Sequence, residues 1–198
     1  ETVSWPRVLM LALPLGALMA MLLETVLSGV IGQMVEMTQQ LLAQSSTGAG
    51  AETLLTQDTL HAILVGGLSA VHTAMVLLSL ILARAWQAGL YNPGGFAQEF
   101  HGLRLPPAYT ALLLAGLVLG AQLGLEIWRW LPLLLLPWII CGIALIHGSV
   151  AKRDLGRSWL VGFYLAVVFF GPYMILLLVA AAVIDSFVDI RSRLPVKN

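Results

Sequence analysis

Apolar positions along the chain gather into long runs, with most of the polar residues in the gaps between them. Four runs, at 8–31, 60–83, 108–125 and 131–151, each hold 18 residues or more, and a fifth covers 159–187. About 20 apolar residues in a helix cross a hydrocarbon core of roughly 30 Å. Lipid offers no partner to a free backbone N–H or C=O, so helices are the form such runs take. The pattern predicts an all-α, polytopic transmembrane bundle of about five spans in a single domain covering 1–198. The last run is too long for a simple crossing, since 29 residues make a helix of roughly 43 Å. Either it is tilted and kinked at Gly171-Pro172, or it is two short segments turning at that pair.

Composition narrows the class. Hydrophobic residues make up 59% and charged residues 10% of the 198, against about 25% charged in a soluble domain. This excludes a soluble enzyme and a disordered regulator, and the run lengths exclude a β-barrel with its short alternating strands. Ten Lys and Arg balance ten Asp and Glu, so no basic excess points to nucleic acid. Cys141 stands alone, which rules out an internal disulfide. The chain opens at Glu1, and the run 8–31 exceeds the 7–15 apolar residues of a signal peptide. It is read as the C-terminal part of a longer protein.

Positive charge orders the connections. The 32–59 connection has no Lys or Arg and is expected to be non-cytoplasmic. The 84–107 connection carries Arg84 and Arg104, the next Arg129, the next Lys152, Arg153 and Arg157, and the tail Arg191, Arg193 and Lys197. With five spans, six positive charges face the cytoplasm and four face out. With a last segment that crosses twice, the split is nine to one, which the positive-inside rule prefers. Length favours five spans, so the side of the tail stays open. Trp5, Trp128, Trp130 and Trp159 fall at span ends, where indole rings settle at headgroup level.

Small residues recur every four positions: Ala12, Gly16, Ala20 in the first span, Ala62, Gly66, Ala70, Ala74 in the second, and Gly116, Gly120, Gly124 in the third. Such stripes predict close helix packing, within the chain or onto a partner subunit. Glu24, His72, Gln122 and His147 are polar or ionisable at membrane depth, where a charge costs about 2.5–3.5 kcal/mol. They are candidate contacts of a solute pocket between helices. The plainer alternative bonds Glu24 to Gln122 and His72 to a helix carbonyl. His61 and His72 lie about 16 Å apart along one helix, and no metal-ligand, nucleophile or phosphate-loop spacing occurs. No metal, cofactor or enzymatic activity is expected. Asp185 and Asp189, near Arg191, describe a charge cluster closing a helix.

The connections add local structure. Met34, Met37 and Leu41 extend helical spacing beyond the first span, and 45–50 is a flexible tip by composition. Tyr91-Asn92-Pro93-Gly94-Gly95 is a turn. Phe96, Phe100 and Leu103 follow at i, i+4, i+7 with Gln98, Glu99 and Arg104 between them. This predicts a short amphipathic helix on the cytoplasmic interface, whose polar face is a candidate docking surface.

Asn92-Pro93-Gly94-Gly95-Phe96, Glu99-Phe100 and Leu103-Arg104-Leu105 together resemble a signature of the YybS-like family of bacterial polytopic membrane proteins. The resemblance continues through Gly142, Ala144, His147 and Gly148, then Trp159-Leu160 and Phe163-Tyr164. It closes on Asp185-Ser186-Phe187 with Asp189 and Arg191, covering most of 84–194, although Phe187 departs from a more usual Trp. It implies residence in the bacterial cytoplasmic (inner) membrane. At superfamily distance it is also similar to the substrate-binding membrane subunits of energy-coupling-factor transporters, which work with other membrane subunits. The leading expectation is a protein of the lipid bilayer that binds or transports a small solute. The rival is a structural or assembly protein acting through membrane subunits or a cytoplasmic partner.

Overall fold

The computed structural model describes residues 4–44 and 56–194, and these are helical with no strand. In chain order the helices are α1 (Trp5–Val26), α2 (Ser28–Gln44), α3 (Gln57–Tyr91), α4 (Gly95–His101), α5 (Pro107–Gln122), α6 (Ile127–Lys152), α7 (Ser158–Val188) and α8 (Ile190–Arg193). Four of them, α1, α3, α6 and α7, are long and apolar enough to cross a membrane, and α5 is a shorter apolar helix of 16 residues. The 45–50 tip lies outside the described residues.

Local chemistry sets the boundaries. Thr25 Oγ1 donates to the Met21 carbonyl at 2.8 Å, a back-bond that bends helices, and the chain bends at Leu27 before α2 begins. The expected single run at 8–31 is therefore two helices. Thr56 starts α3, its hydroxyl accepting the Thr59 N–H at 3.2 Å. Arg84, expected in a connection, lies inside α3, which continues to Tyr91. At the end of α5, Gly124 takes φ 73°. Its N–H bonds Ala121 and the Leu125 N–H bonds Gly120, the 5→2 and 6→1 pattern of a Schellman stop. The third span thus ends at Gln122, short of 125, and Gly124 terminates a helix where the stripe had counted it as packing. Asp154 makes the same stop after α6 with φ 50°.

The chain divides into two compact units: residues 1–10, 77–114 and 135–198, and residues 11–76 and 115–134. In the second unit, Ala20, Ile31, Val35, Leu60 and Val65 form the core, with Leu64, Leu68 and Trp130 against it. Two of the small-residue stripes are used here. Ala12, Ala20, Ala62 and Ala70 are buried, the Gly16 position is filled by Leu133 and Thr73, and Gly66 lies against the backbone of Arg129. The α5 stripe is used only in part: Gly116 is exposed with nothing within reach of an added Cβ, and the buried Gly120 meets Leu125 and Ile127 just beyond its own helix.

In the first unit, Trp138, Leu105, Ala144, Leu178 and Ala182 are buried. Gly142 receives the Leu178 carbonyl, which would stand 2.7 Å from an added Cβ. Helix α7 is broken at Gly171, whose φ of 23° and ψ of −99° leave the helical region. Glycine alone takes such angles cheaply, and Pro172 has no N–H to continue the ladder. Both ends of α7 come to the same place. Trp159 and Ile190 line one cavity, and Lys152 Nζ donates to the Arg191 carbonyl at 2.6 Å. A straight 31-residue helix would separate its ends by about 45 Å. The segment is therefore a hairpin of 13 and 17 residues, and the chain's last described residues return to the end of α6.

Candidate functional site

The first unit assembles a polar site from three stretches far apart in sequence. The first is the 92–105 connection. The Gly95 N–H bonds the Asn92 carbonyl at 3.0 Å, with Pro93 and then Gly94 at φ 86°, ψ −16° between them. These are the angles and residues of a type II turn. It launches α4, on which Phe96 and Phe100 stack at 5.6 Å. Phe100 meets the His147 ring of α6 edge-on at 5.7 Å. His147 Nε2 shares a hydrogen bond of 2.8 Å with the Tyr164 hydroxyl of α7. The amphipathic helix exists as expected, and its aromatic face packs inside this unit. Gly148 makes the approach feasible, since a Cβ there would lie 2.6 Å from the His101 carbonyl oxygen.

The polar face of α4 is also engaged. Glu99 accepts from Arg84 Nε at 3.0 Å, from Arg84 Nη2, and from Trp5 Nε1 at 3.4 Å. The Arg84 hydrogen bond, ahead of the other contributions, holds the Glu99 carboxyl below its ordinary pKa.

The second stretch is the end of α6, His147 to Lys152, and the third is 185–192, whose Arg191 ties back to the first. Its Nη1 donates to the His101 carbonyl and its Nη2 to the Leu103 carbonyl, each at 2.6 Å. The His101 carbonyl is an acceptor that the end of a short helix leaves unsatisfied, and Leu103 lies two residues beyond that end. Nη2 also faces Asp185 Oδ2 at 3.3 Å. Asp185 is 2% exposed, and its Oδ1 accepts the Ile190 N–H at 2.9 Å. Arg104 pairs with Asp189 at 3.3 Å, and Asp189, in the left-handed region at φ 51°, caps α8 by accepting from the Ser192 N–H. Burial lowers the pKa of Arg191 from its ordinary value in spite of the nearby acids. Burial, with the positive charge of Arg191, also lowers that of His101. Beneath this cluster, the Thr110 and Ser186 hydroxyls bond at 2.7 Å, and Trp138 Nε1 donates to Thr110 at 3.3 Å.

These residues border an open cavity of about 710 Å³, lined by Gln98, His101, Arg104, Lys152, Asp189, Arg191 and Ser192, with Gly148 in its wall. Three cations stand against Asp189 and the buried Asp185. Arg191 is committed to carbonyls and a carboxylate, whereas Lys152 gives one of three donors to Arg191 and Arg104 is about one-third exposed. The cavity therefore offers spare N–H donors, the chemistry that receives an anionic oxygen.

The intramembrane residues expected to share a pocket go elsewhere. Glu24 belongs to the second unit, where Arg129 binds both its oxygens at 2.8 and 3.1 Å. Its partner is thus Arg129 and not Gln122, because a guanidinium fork satisfies a carboxylate that an amide meets only singly. Arg129 also faces Glu126 at 3.2 Å. His72 is exposed, with Nδ1 on the Leu68 carbonyl at 2.8 Å, which is the plainer alternative. Gln122 is exposed. Of the four intramembrane candidates, His147 alone lies beside the polar site.

Sequence reasoning gave no site role to His101, Thr110, Trp138, Lys152 or Ser186, although Lys152 counts among the positive charges of the connections and Ser186 stands in the closing motif. His101 and Lys152 had a signal, as polar residues flanking motif positions. Thr110 is a hydroxyl inside an apolar run 76 residues from Ser186, with nothing local to mark the two as a pair. No protein-family model, curated protein or solved structure matches this chain.

Proposed function

We propose that this chain is a multi-pass protein of the bacterial cytoplasmic membrane that binds a small solute with an anionic group in the cavity bordered by Arg104, Lys152 and Arg191. The observation that carries this reading is convergence. Residues 101–104, 152 and 185–192 meet at one cavity, with more donors than its own acids consume. Membership of the YybS-like family is part of the proposal. It is supported by the same convergence, because the 92–105, 142–148 and 185–191 stretches that carry the resemblance are the ones that build the site. The positive-inside rule puts the cavity on the cytoplasmic face. The test is thermal-shift screening of the purified full chain in detergent against carboxylates, phosphates and sulfonates. Stabilisation by one class, lost in Lys152→Ala and Arg104→Ala, supports the reading. No stabilising anion, or binding indifferent to both substitutions, overturns it.

A second reading, assembly with another membrane helix, has one observation of its own. In the second unit an apolar cavity of about 390 Å³ is floored by Pro14, Ala17, Gly116 and Gly120. Small residues at such a surface admit a neighbouring helix backbone. Crosslinking from position 116 in native membranes tests it, and an absence of discrete products counts against it.

A further inference from the structure

A separate cavity of about 550 Å³ opens in the first unit between the last turns of α6, the first turns of α7, and α8. Its walls are apolar, formed by Ile146, Val150, Phe163, Ile190 and Leu194, with Arg153 at the rim. Arg153 is exposed and forms no ion pair among the described residues, as is also true of Arg157 four positions on. Asp154 is the one acid between Lys152 and Arg157, so the segment carries a net positive charge. The cavity adjoins a surface made for hydrocarbon: Trp159, Val161, Leu165 and Val168 of α7 are each more than half exposed.

An apolar trough with the unpaired Arg153 in its lining and the exposed Arg157 nearby in the chain, at the N-terminus of α7, continuous with an apolar helix face, matches a ligand that joins an anion to a hydrocarbon tail. We infer that this cavity is a binding site for an anionic phospholipid, whose headgroup phosphate meets Arg153 and Arg157 while an acyl chain lies along Ile146, Val150 and Phe163. A soluble phosphate would leave the trough empty, and a zwitterionic lipid would cancel the attraction it gained. Each basic side chain near an anionic headgroup contributes about a fivefold change in affinity. The inference does not depend on the solute cavity, which uses other side chains.

The experiment is native mass spectrometry of the full chain, delipidated in detergent and titrated with phosphatidylglycerol, phosphatidylcholine or glycerol 3-phosphate. Phosphatidylglycerol should be retained at the lowest concentration. Arg153→Ala with Arg157→Ala should weaken it by an order of magnitude or more. Gly162→Leu should also weaken it while leaving both charges, since Gly162 lines the trough and an added Cβ there meets nothing. Thermal melts of each variant control for folding. Equal retention of the two phospholipids overturns the inference, as does retention unchanged in the variants. Glycerol 3-phosphate binding as tightly as the lipid, and weakened by the same Arg153 and Arg157 substitutions, also overturns it, by showing an anion site without a lipid site.

Discussion

Asp185 is a carboxylate at 2% exposure with a guanidinium 3.3 Å away. Removing one member of such a pair strands the other in a medium that solvates it poorly, at a cost of about 3–5 kcal/mol. Asp185→Asn should therefore lower the denaturation midpoint strongly. Asp185→Asn with Arg191→Met should recover part of the loss, because no stranded charge remains; equal damage in the single and double variants would refute the pairing. Glu99 behaves differently, being partly exposed. Its folded pKa lies below the unfolded value, so it contributes stability above the ordinary glutamate pKa of about 4.3. That contribution is lost as pH falls through the lowered folded value. The stability gap between the native chain and Glu99→Gln should therefore be full near neutral pH and close as pH falls below about 4; a gap independent of pH would refute it.

At the scale of helices, the adjacent Gly66 and Gly67 separate packing from propensity. A Cβ on Gly66 collides with the Arg129 backbone, and one on Gly67 meets nothing. Gly66→Ala should cost about 1–3 kcal/mol through overpacking, while Gly67→Ala should be neutral or slightly stabilising through helix propensity; matched thermal melts decide between them. Much at this scale was legible beforehand. Run lengths gave the long helices, Asn92-Pro93-Gly94-Gly95 gave its turn, and the spacing of Phe96 and Phe100 gave α4. The stripes were legible only halfway, since periodicity shows that a face is smooth without showing that a neighbour occupies it. Gly16 and Gly66 have neighbours and Gly116 has none. The polar site was the least legible. Arg191 reaches carbonyls 88 and 90 residues away, and Glu24 finds a guanidinium 105 residues away. Nothing in local spacing encodes those distances.

At the largest scale, the topology of the first unit follows from a few bonds. Trp5 is bonded to Glu99, Arg191 to His101 and Leu103, and Lys152 to Arg191. The chain start, the 92–106 connection, the end of α6 and the last helix therefore lie on one side of any membrane the protein crosses. Among the described residues, Arg7, Arg84, Arg104, Lys152, Arg153, Arg157, Arg191 and Arg193 all belong to this unit and lie on or beside these elements. Such a gathering of positive charge on one face is what the positive-inside rule rewards, and it requires the last apolar run to turn back at Gly171. The 13- and 17-residue arms are about 20 and 25 Å long, shorter than a core of about 30 Å, so bilayer thinning or burial of the tip must make up the difference. Cysteine accessibility tests this arrangement directly, because the lone native Cys141 is buried. Gln98→Cys and Ser192→Cys should react with an impermeant maleimide from the same face of sealed vesicles, inverted or right-side-out. Labelling of the two positions from opposite faces would mean that α7 crosses once, and would dismantle both the hairpin and the site that its return completes.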